Sequence, residues 1–366
     1  MKVLLSGAFN PAFEALPESL ARALTRLGHQ VTLFDHRGFV LPGRLRVRWT
    51  GLDRWDRRRL NAAFAARARA VDARLILVNQ GMTIEPATIA ALRAEGRRAV
   101  NWCSDHPAEF ERGLEVAASF DAFHVASSWA ANRHRERGHL HASWMPFGCD
   151  DERHRPLDPG EPPLRSALGR VVLVGTHYPE RQILLRHLAG LPVDVYGPGW
   201  ERAAGDPQIA PMIRGGSLPP SLWRRLYGSA TAVLNIHYGA FGPDAVSGHL
   251  ASTRVFEILG CGALQIANRQ GDLVRLFRED EEFLGFSSGE ELRAQVERAL
   301  ADPVEARRIA AAGRAAVLDG HTYLDRARLL VDGGRFALPA RPTPIAAERG
   351  DRSRGAVAHH AAGGAR

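Results

Sequence analysis

Long apolar runs are missing from this chain of 366 residues, and none approaches the roughly 20 residues of a membrane-spanning helix. The N-terminal sequence MKVLLSGAFN has an apolar stretch of only a few residues, too short for a signal peptide. Cysteine is also scarce. The three cysteines, Cys103, Cys149 and Cys261, are widely spaced and form no C-x-x-C pair. This pattern argues against a zinc site and fits a reducing compartment, so we expect a cytoplasmic protein without a metal centre.

Several signatures of catalytic classes are missing too. The sequence contains no serine nucleophile elbow, no H-E-x-x-H pair and no P-loop. No G-x-G-x-x-G fingerprint follows the apolar segments Val3–Ser6 and Val171–Val174. The missing glycine fingerprint speaks against an oxidoreductase of the Rossmann type, and a lack of NAD(P) binding would exclude it.

Lysine is nearly absent: Lys2 is the one lysine among 48 basic residues, and the formal net charge is +8. Codon bias in a GC-rich genome is the favoured interpretation of the preference for arginine. The excess charge is consistent with anionic partners. Part of it lies in Gly43–Arg59, but no nucleic-acid module signature accompanies it, so no nucleic-acid partner is expected. A solvated face is the favoured interpretation, and peripheral membrane contact through Arg44–Arg59 is the alternative.

Apolar strand-like segments alternate with helical patterns along both halves of the chain. The first predicted strand is Lys2–Gly7, the next is Gln30–Asp35, and leucines spaced by three and four residues predict a helix between them. Continuous apolar strands separated by helices indicate a parallel sheet covered on both faces. The further predicted strands are Arg74–Gly81, Arg97–Ser104, Ala122–Ser128, Ala142–Gly148, Arg170–Gly175, Val193–Gly197, Thr231–Tyr238, Ala263–Asn268 and Phe283–Ser288.

A change of composition divides the chain into two α/β halves. Residues 151–169 are rich in proline and charge and lack periodicity, which predicts a linker between domains at 1–150 and 170–335. Residues 336–366 are rich in Ala, Gly, Arg and Pro, and we expect a disordered tail there. Ligands of such sheets bind at the carboxyl ends of the strands, so the expected site is a cleft between the halves.

Two loops of the second half are candidate ligand contacts. Val174–Arg181 leaves a strand and enters a helix, whose free N–H groups and positive dipole suit a phosphate. Arg181 would add charge-assisted bonds to a diphosphate, although spacing alone slightly favours an ordinary loop with an exposed arginine. Gly215 and Gly216 would let a ligand approach the backbone closely, or they would form a flexible loop. Trp200, between these loops, is better interpreted as a packing residue.

Polar residues near other predicted strand ends are the remaining candidates. Asp105 and His106 follow the fourth predicted strand, where cleft residues belong; alternatively they begin the next helix, with Asp105 as its N-cap. The longest irregular stretch of the second half, Asn235–Glu257, contains His249. It leads to Glu257, a lone carboxylate in an apolar run, which on periodicity alone would be the polar edge of an amphipathic helix.

Four phrases of the second half resemble one family. They are LWRRLYGSATAVLNIH, STRVFEILGCGALQIANRQGDLVRLF, EEFLGFSSGEEL and GHTYLDRARLL, between about Arg170 and Leu330. This segment resembles the CgeB-like (spore-maturation-protein type) glycosyltransferases of the GT-B fold. The first half resembles these glycosyltransferases in architecture and in two short segments, NWCSDHP and MPFGCDDERHRP. The resemblance implies an α/β protein with two Rossmann-like, doubly wound domains facing across a cleft, with the nucleotide-sugar donor held mainly by the second.

The resemblance also implies roles for single residues. Glu257 matches the second glutamate of a Glu-x7-Glu motif, which binds the ribose hydroxyls of the donor. His249 stands eight residues earlier, where that motif has its first glutamate. His106 resembles the cleft histidine of the acceptor-side domain. His106, Asp105 and His249 are therefore the predicted catalytic residues.

An arginine and a lysine after the first strand of the second domain usually meet the donor diphosphate in related enzymes. Arg181 matches the lysine, and Thr176, beside Gly175, stands where the arginine is usual. Arg254, on the predicted Glu257 helix, would supply the missing charge; this is our inference and not a family property. With the glycine pair 215–216, these residues complete the predicted donor site.

The activity that the resemblance implies is glycosyl transfer from a nucleotide-diphosphate sugar, linked to UDP, GDP or TDP, to a glycan, protein or small-molecule acceptor. GT-B enzymes generally need no metal, no further cofactor is expected, and retention of configuration is preferred. Two alternatives on the same fold are a non-catalytic nucleotide- or sugar-binding protein and a sugar-nucleotide epimerase. His249 in place of the first glutamate of the motif, and Thr176 in place of the arginine, favour the binding protein.

Overall fold

The computed structural model describes residues 1–10, 16–80, 83–104, 110–237 and 248–339. Two six-stranded sheets organise these residues, one in each half of the chain. The strand pairs in both sheets are parallel. No helix of the described part is long and apolar enough to cross a membrane.

The first sheet alternates strands and helices along residues 2–144. Its strands are β1 (Lys2–Gly7), β2 (Gln30–Asp35), β3 (Leu75–Asn79), β4 (Arg98–Cys103), β5 (Ala122–Val125) and β6 (Ala142–Trp144). The helices of this half are α1 (Leu16–Arg26), α2 (Gly43–Arg48), α3 (Thr50–Ala70), α4 (Pro86–Ala94), α5 (Phe110–Ala117) and α6 (Ser128–Glu136).

The second sheet repeats this alternation after the linker. Its strands are β7 (Val171–Val174), β8 (Val193–Tyr196), β9 (Ile213–Gly215), β10 (Ala232–Asn235), β11 (Gln265–Asn268) and β12 (Leu284–Phe286). The helices of this half are α7 (Pro179–Arg186), α8 (Pro220–Ser229), α9 (Thr253–Gly260), α10 (Gly271–Leu276), α11 (Gly289–Ala301), α12 (Pro303–Leu318) and α13 (Tyr323–Asp332).

Both sheets reverse their strand order at an inner strand. The order is β2-β1-β3-β4-β5-β6 in the first sheet and β12-β11-β10-β7-β8-β9 in the second. The chain runs outward in one direction from β7 to β9 and in the other from β10 to β12. Parallel strands that diverge in this way leave a crevice at their carboxyl ends, which places the expected site of the second domain near β7 and β10.

Alternating side chains of the strands explain why the sheets are covered on both faces. Val3 and Leu5 of β1 lie in one apolar core, and Leu4 lies in another on the opposite face. The core around Val3 also contains Val255 and Phe256 of α9. Apolar packing therefore continues from one domain into the other.

The predicted strands are confirmed, and one further strand was missed. β1 and β2 have the predicted bounds, and the other predicted strands each contain an observed one. The missed strand is β9, three residues long, which pairs with β8 at the edge of the second sheet. The interpretation of Gly215 as part of a flexible loop is wrong, since Gly215 ends this strand. A strand this short that ends in glycine has no apolar pattern to reveal it.

The helix α13 returns to the first domain. It packs against α1, and Tyr323 lies in the same apolar core as Leu24. The predicted domain 170–335 thus contributes its last helix to the packing of the other domain. Phe336, at the start of the predicted tail, packs edge-on against Trp144 with 5.2 Å between ring centroids.

Candidate functional site: a cavity at the ends of β7 and β8

A cavity of about 350 Å³ lies at the carboxyl ends of β7 and β8, near the reversal of strand order. Its walls come from the loops after these strands, from the segment after β9, from α8 and from the first two turns of α9. The lining includes Gly175, Thr176, Arg254 and Glu257, four of the residues predicted for donor binding. Segments far apart in the sequence thus meet at one site.

A larger cavity, of about 590 Å³, lies beside it between the linker and the start of α8. Two of its arginines are already paired, Arg155 with Asp158 and Arg224 with both oxygens of Glu161 at 2.7 and 2.6 Å. Trp223 lines both cavities. We assign the candidate site to the smaller cavity, because its charged side chains form no ion pair within the described part of the chain.

Three glycines join the strand ends at the cavity. The Gly175 amide donates to the Tyr196 carbonyl at 2.8 Å, and the Gly197 amide donates to the Gly215 carbonyl at 3.0 Å. Gly197 has a φ of +138°, and a Cβ on it would lie 2.2 Å from the Gly175 carbonyl oxygen. Only glycine fits at that position, so the close approach of the two loops depends on it.

Trp200 fixes the loop after β7 from the other side. Its indole Nε1 donates to the Gly175 carbonyl at 2.8 Å, and its ring packs edge-on against His177 at 4.9 Å. Trp200 is 1% exposed and belongs to the apolar core of the second domain. The packing interpretation of this tryptophan is confirmed, and the packing holds the backbone at the cavity.

Arg181 is buried on α7 and is tied to the backbone. Its Nε and Nη2 donate to the Ile236 carbonyl at 2.9 and 2.7 Å, and its Nη1 donates to the Thr176 carbonyl at 2.6 Å. Burial and repulsion from Arg254 lower the pKa of Arg181 to about 10, so it stays charged at neutral pH. The prediction that Arg181 is an exposed loop arginine is therefore wrong. Its contact with a diphosphate remains a prediction.

The first two turns of α9 carry the charged side chains that line the cavity. Arg254 and Glu257 are three residues apart, so they lie on neighbouring positions of one helix face. Val255, Phe256 and Ile258 are fully buried, which leaves the polar face to the cavity. No described residue donates a hydrogen bond to the half-buried Glu257 carboxylate. It can therefore accept hydrogen bonds from the hydroxyl groups of a ligand.

His237, shortly after β10, positions the start of α9. Its Nδ1 lies 3.0 Å from Asn268 Oδ1, which assigns the proton to Nδ1. Its Nε2 then accepts from the amide of Ser252, the N-cap residue of α9, at 3.4 Å. Burial lowers the pKa of His237 to about 4, and the charges of Arg181 and Arg254 act in the same direction. The ring is neutral at physiological pH and adds no third positive charge.

Two aromatic side chains of α8 form a wall that the sequence analysis did not single out. Trp223 and Tyr227 are one helical turn apart and their rings are 5.2 Å apart. Both line the cavity. Burial raises the pKa of Tyr227, partly offset by the nearby Arg254. The signal in the sequence is an aromatic pair spaced by four residues, a spacing that is equally typical of an ordinary core helix.

His249 lies at the contact between the domains. Its ring stacks on Trp129 of α6 with 6.4 Å between centroids and 16° between planes. The ring also lies close to Gly271 at the start of α10, because a Cβ added to that glycine would be only 3.1 Å from the histidine Nδ1. The described lining of the cavity does not include His249. Its catalytic role stays a prediction.

The remaining predictions fall partly outside the structure. Asp105, His106 and the tail beyond residue 339 lie outside the described residues. Gly216 is exposed beside Ser217, which lines the cavity. Among the side chains that the structure describes, no group of three His, Cys, Asp or Glu could hold a metal ion.

Residues 180–332 match the model of a family described as glycosyl transferase-like. The matched segment contains α8 and α9, and most of the residues that line the cavity. It covers less than half of the chain. No curated protein matches the sequence at a significant level.

The structure is similar to that of sucrose-phosphate synthase from Thermosynechococcus elongatus, with a TM-score of 0.66 and 15% identity, over 90% of this chain and 97% of that one. The chain has the GT-B fold. Anabaena Alr3699/HepE in complex with UDP and glucose is also similar, with a TM-score of 0.64 and 13% identity, over 91% and 99% of the chains. The α,α-trehalose 6-phosphate synthase from Burkholderia multivorans has a TM-score of 0.62 and 13% identity, over 91% and 97%. At these identities the likeness shows the GT-B architecture alone.

Proposed function

We propose that this protein is a glycosyltransferase that moves a sugar from a nucleotide-diphosphate donor to an acceptor in the cleft between its domains. One observation carries the proposal: the cavity of the second domain brings Gly175, Arg254 and Glu257 together. The match to the glycosyl transferase-like family over residues 180–332 supports it. Alr3699/HepE, a protein of similar fold, is described in complex with UDP and glucose, which makes UDP the first nucleotide to test.

The cavity offers a group for each part of such a donor. The Glu257 carboxylate would accept hydrogen bonds from the ribose hydroxyls. Arg254 would meet the diphosphate beside the backbone of Gly175, at the loop that enters α7. Trp223 presents an aromatic surface to the base. The cavity volume of about 350 Å³ falls in the usual range of ligand pockets, about 300 to 1,000 Å³.

The proposed reaction breaks the bond between the sugar C1 and the β-phosphate oxygen. That oxygen keeps the bonding electron pair, so negative charge grows on the diphosphate while C1 becomes oxocarbenium-like. Arg254 would stabilise the growing charge electrostatically. The acceptor hydroxyl oxygen then bonds to C1, and its proton passes to the departing diphosphate oxygen. Because the Arg254 guanidinium can offset part of the diphosphate charge, we propose transfer without a metal ion and with retention at C1.

Two experiments test the proposal, first nucleotide binding and then turnover of a nucleotide sugar. Thermal unfolding with UDP, GDP, TDP and their sugars should show one nucleotide family that raises the melting temperature. Incubation with the matching nucleotide sugar should then release the nucleoside diphosphate, with and without EDTA. Failure of all of these nucleotides to stabilise the protein would overturn the proposal.

A second candidate is a non-catalytic nucleotide- or sugar-binding protein. His249 supports it, because this residue replaces the first glutamate of the motif and stacks on Trp129. Thr176 supports it too, because it lines the cavity where related enzymes have an arginine. Tight UDP binding without release of product across a donor and acceptor panel would favour this candidate over the enzyme.

A further inference from the structure

An apolar segment on the first domain plays no part in the proposed reaction. Six of the fifteen exposed large apolar side chains among the described residues fall between residues 40 and 55. Val47 is 87% exposed, Trp49 57% and Trp55 53%. Such a concentration of exposed apolar side chains generally marks an interaction site. The six residues are Val40, Leu45, Val47, Trp49, Leu52 and Trp55.

The local structure holds these side chains outward on an ordered backbone. The helix α2 buries none of its residues. On α3, Asp56 points inward, whereas Leu52 and Trp55, three residues apart, are exposed on another face. The amides of Val40 and Leu41 donate to the Asp56 carboxylate at 3.1 and 2.9 Å, which anchors the segment before α2 to α3. The exposed apolar side chains thus belong to one segment, whose two helices pack against each other.

The same segment carries uncompensated positive charge. Gly43–Arg59 contains seven arginines and two aspartates. Asp53 forms ion pairs with two of the arginines, and the buried Asp56 forms one with a third. The other four arginines are exposed and have no carboxylate partner in the part of the chain that the structure describes. They are Arg44, Arg48, Arg54 and Arg58. These four arginines and the six apolar residues form what we name the α2–α3 surface.

We propose that the α2–α3 surface docks the protein on an anionic lipid bilayer. Tryptophan favours the headgroup region of a membrane, so Trp49 and Trp55 would lie at that level. Valine and leucine side chains would enter the boundary between headgroups and acyl chains. Arginine carries its charge on a long apolar stem, so Arg48 and Arg58 would reach lipid phosphates while their stems stay in contact with the apolar layer.

The combination of positive charge and exposed apolar side chains favours a lipid bilayer over a nucleic acid or a second copy of the chain as the binding partner. A nucleic acid would pair with the arginines, but its phosphates offer nothing to Val47 and Leu45. A second copy of the chain would bring two sets of unpaired arginines together, and like charges repel. An anionic bilayer matches both features of the surface. The described lining of the nucleotide cavity contains no residue of this surface, so docking does not depend on the proposed function.

Vesicle binding of the full chain tests the proposal. Flotation with phosphatidylcholine vesicles, with and without phosphatidylglycerol, should show binding that requires the anionic lipid and weakens at high salt. Two variants divide the surface: Arg44→Gln/Arg48→Gln/Arg54→Gln/Arg58→Gln for charge and Trp49→Ser/Trp55→Ser for the aromatic side chains. Each should lower vesicle binding about tenfold or more. The tryptophan emission of the wild type should shift to the blue on vesicles, and the second variant should lose that shift.

Matched changes elsewhere serve as controls, because all substituted side chains are exposed and the variants should keep their circular dichroism. Arg135→Gln/Arg165→Gln/Arg202→Gln/Arg307→Gln removes the same charge, and Leu140→Ser/Val304→Ser removes apolar surface. Both control variants should bind vesicles like the wild type. Three results would overturn the proposal: no binding to anionic vesicles at low salt, equal loss in the control variants, or self-association or nucleic-acid binding through this surface without vesicle binding.

Discussion

Arg181 and Arg254 approach Gly175 from two different helices. A Cβ placed on Gly175 would lie 2.9 Å from Nη1 of Arg181 and 3.4 Å from Nη1 of Arg254. Repulsion from Arg254 is one cause of the lowered pKa of Arg181. Two guanidinium groups at one point of a strand end create a site for an anion. Arg181 is committed to backbone carbonyls there, which leaves Arg254 for the ligand.

Replacing Arg254 should weaken the binding of a diphosphate specifically. A hydrogen bond to a charged group is worth about 1.5–3 kcal/mol, so Arg254→Gln should lower the affinity for UDP about tenfold or more. The affinity for uridine, which has no phosphate, should stay nearly unchanged. Titration calorimetry with both ligands measures the difference. An equal loss for UDP and uridine would contradict the assignment of Arg254 to the diphosphate.

Replacing Arg181 should act mainly on stability. Arg181→Met leaves the carbonyls of Ile236 and Thr176 without donors in a buried place, which should lower the free energy of unfolding by about 2 kcal/mol. Arg254→Gln should change it by less than about 1 kcal/mol, since Arg254 holds no described backbone carbonyl. Urea denaturation of both variants checks this contrast. Similar losses in the two variants would show that the division of roles is wrong.

The proposed contact of Glu257 with ribose predicts a different dependence on the ligand. Glu257→Gln should lower the affinity for UDP about tenfold, because a neutral amide accepts weaker hydrogen bonds than a carboxylate. The wild type should also prefer UDP to 2′,3′-dideoxy-UDP, and the variant should lose most of that preference. Glu297→Gln, on the exposed side of α11, is the matched control and should bind like the wild type. A preference for the ribose hydroxyls that survives in Glu257→Gln would place the contact elsewhere.

Much of the fold could be predicted from the sequence, because buried parallel strands are continuous apolar runs. β1 and β2 have the predicted bounds for this reason. Glu257 could be singled out because a lone carboxylate interrupts an apolar segment. The burial of Arg181 could not be predicted, since it depends on the Ile236 carbonyl, 55 positions away. Trp223 was missed because aromatic residues at helical spacing usually belong to a core.

Hydrogen bonds between Ser128 and Asp272 join the two domains. The Ser128 amide at the start of α6 donates to Asp272 Oδ2 at 2.9 Å, and its hydroxyl donates to Oδ1. Arg275 donates to the Ser128 hydroxyl oxygen at 3.2 Å. Burial raises the pKa of Asp272 from 3.8 to about 6, although the Ser128 hydrogen bonds act against the shift. The folded protein therefore binds this proton more tightly than the unfolded chain.

The raised pKa of Asp272 predicts the pH range in which Asp272→Asn stabilises the protein relative to the wild type. Asp272 contributes its full stability below about pH 4 and loses it as the pH rises through about 6. The variant has no such proton, so its free energy of unfolding relative to the wild type should rise by up to about 3 kcal/mol between about pH 4 and pH 7.5. Urea denaturation at several pH values in this range measures the free energy of unfolding of both proteins. Because the other titrating groups are the same in both, their contribution cancels in the difference. A difference that does not change with pH would contradict the prediction.

Two glycines near the cavity should differ in how much a substitution by alanine lowers the stability of the protein. At Gly197, the φ of +138° and the predicted contact of 2.2 Å with the Gly175 carbonyl oxygen leave no room for a methyl group. Gly197→Ala should therefore lower the free energy of unfolding by about 3 kcal/mol or more and displace the loop after β7. At Gly216, a Cβ would meet nothing within 4 Å, so Gly216→Ala should leave stability nearly unchanged.

Gly216→Ala can therefore distinguish an effect on ligand binding from an effect on the stability of the protein. If a nucleotide comes close to the backbone at this glycine, the added methyl group should weaken UDP binding severalfold while urea denaturation matches the wild type. Gly205→Ala, at another open position of the same domain, is the control and should change neither property. Unchanged UDP affinity in Gly216→Ala would remove Gly216 from the donor site. Gly197→Ala should displace the loop after β7. If that variant alone lost UDP binding, the cause would therefore be a changed shape of the cavity and not a lost contact with the ligand.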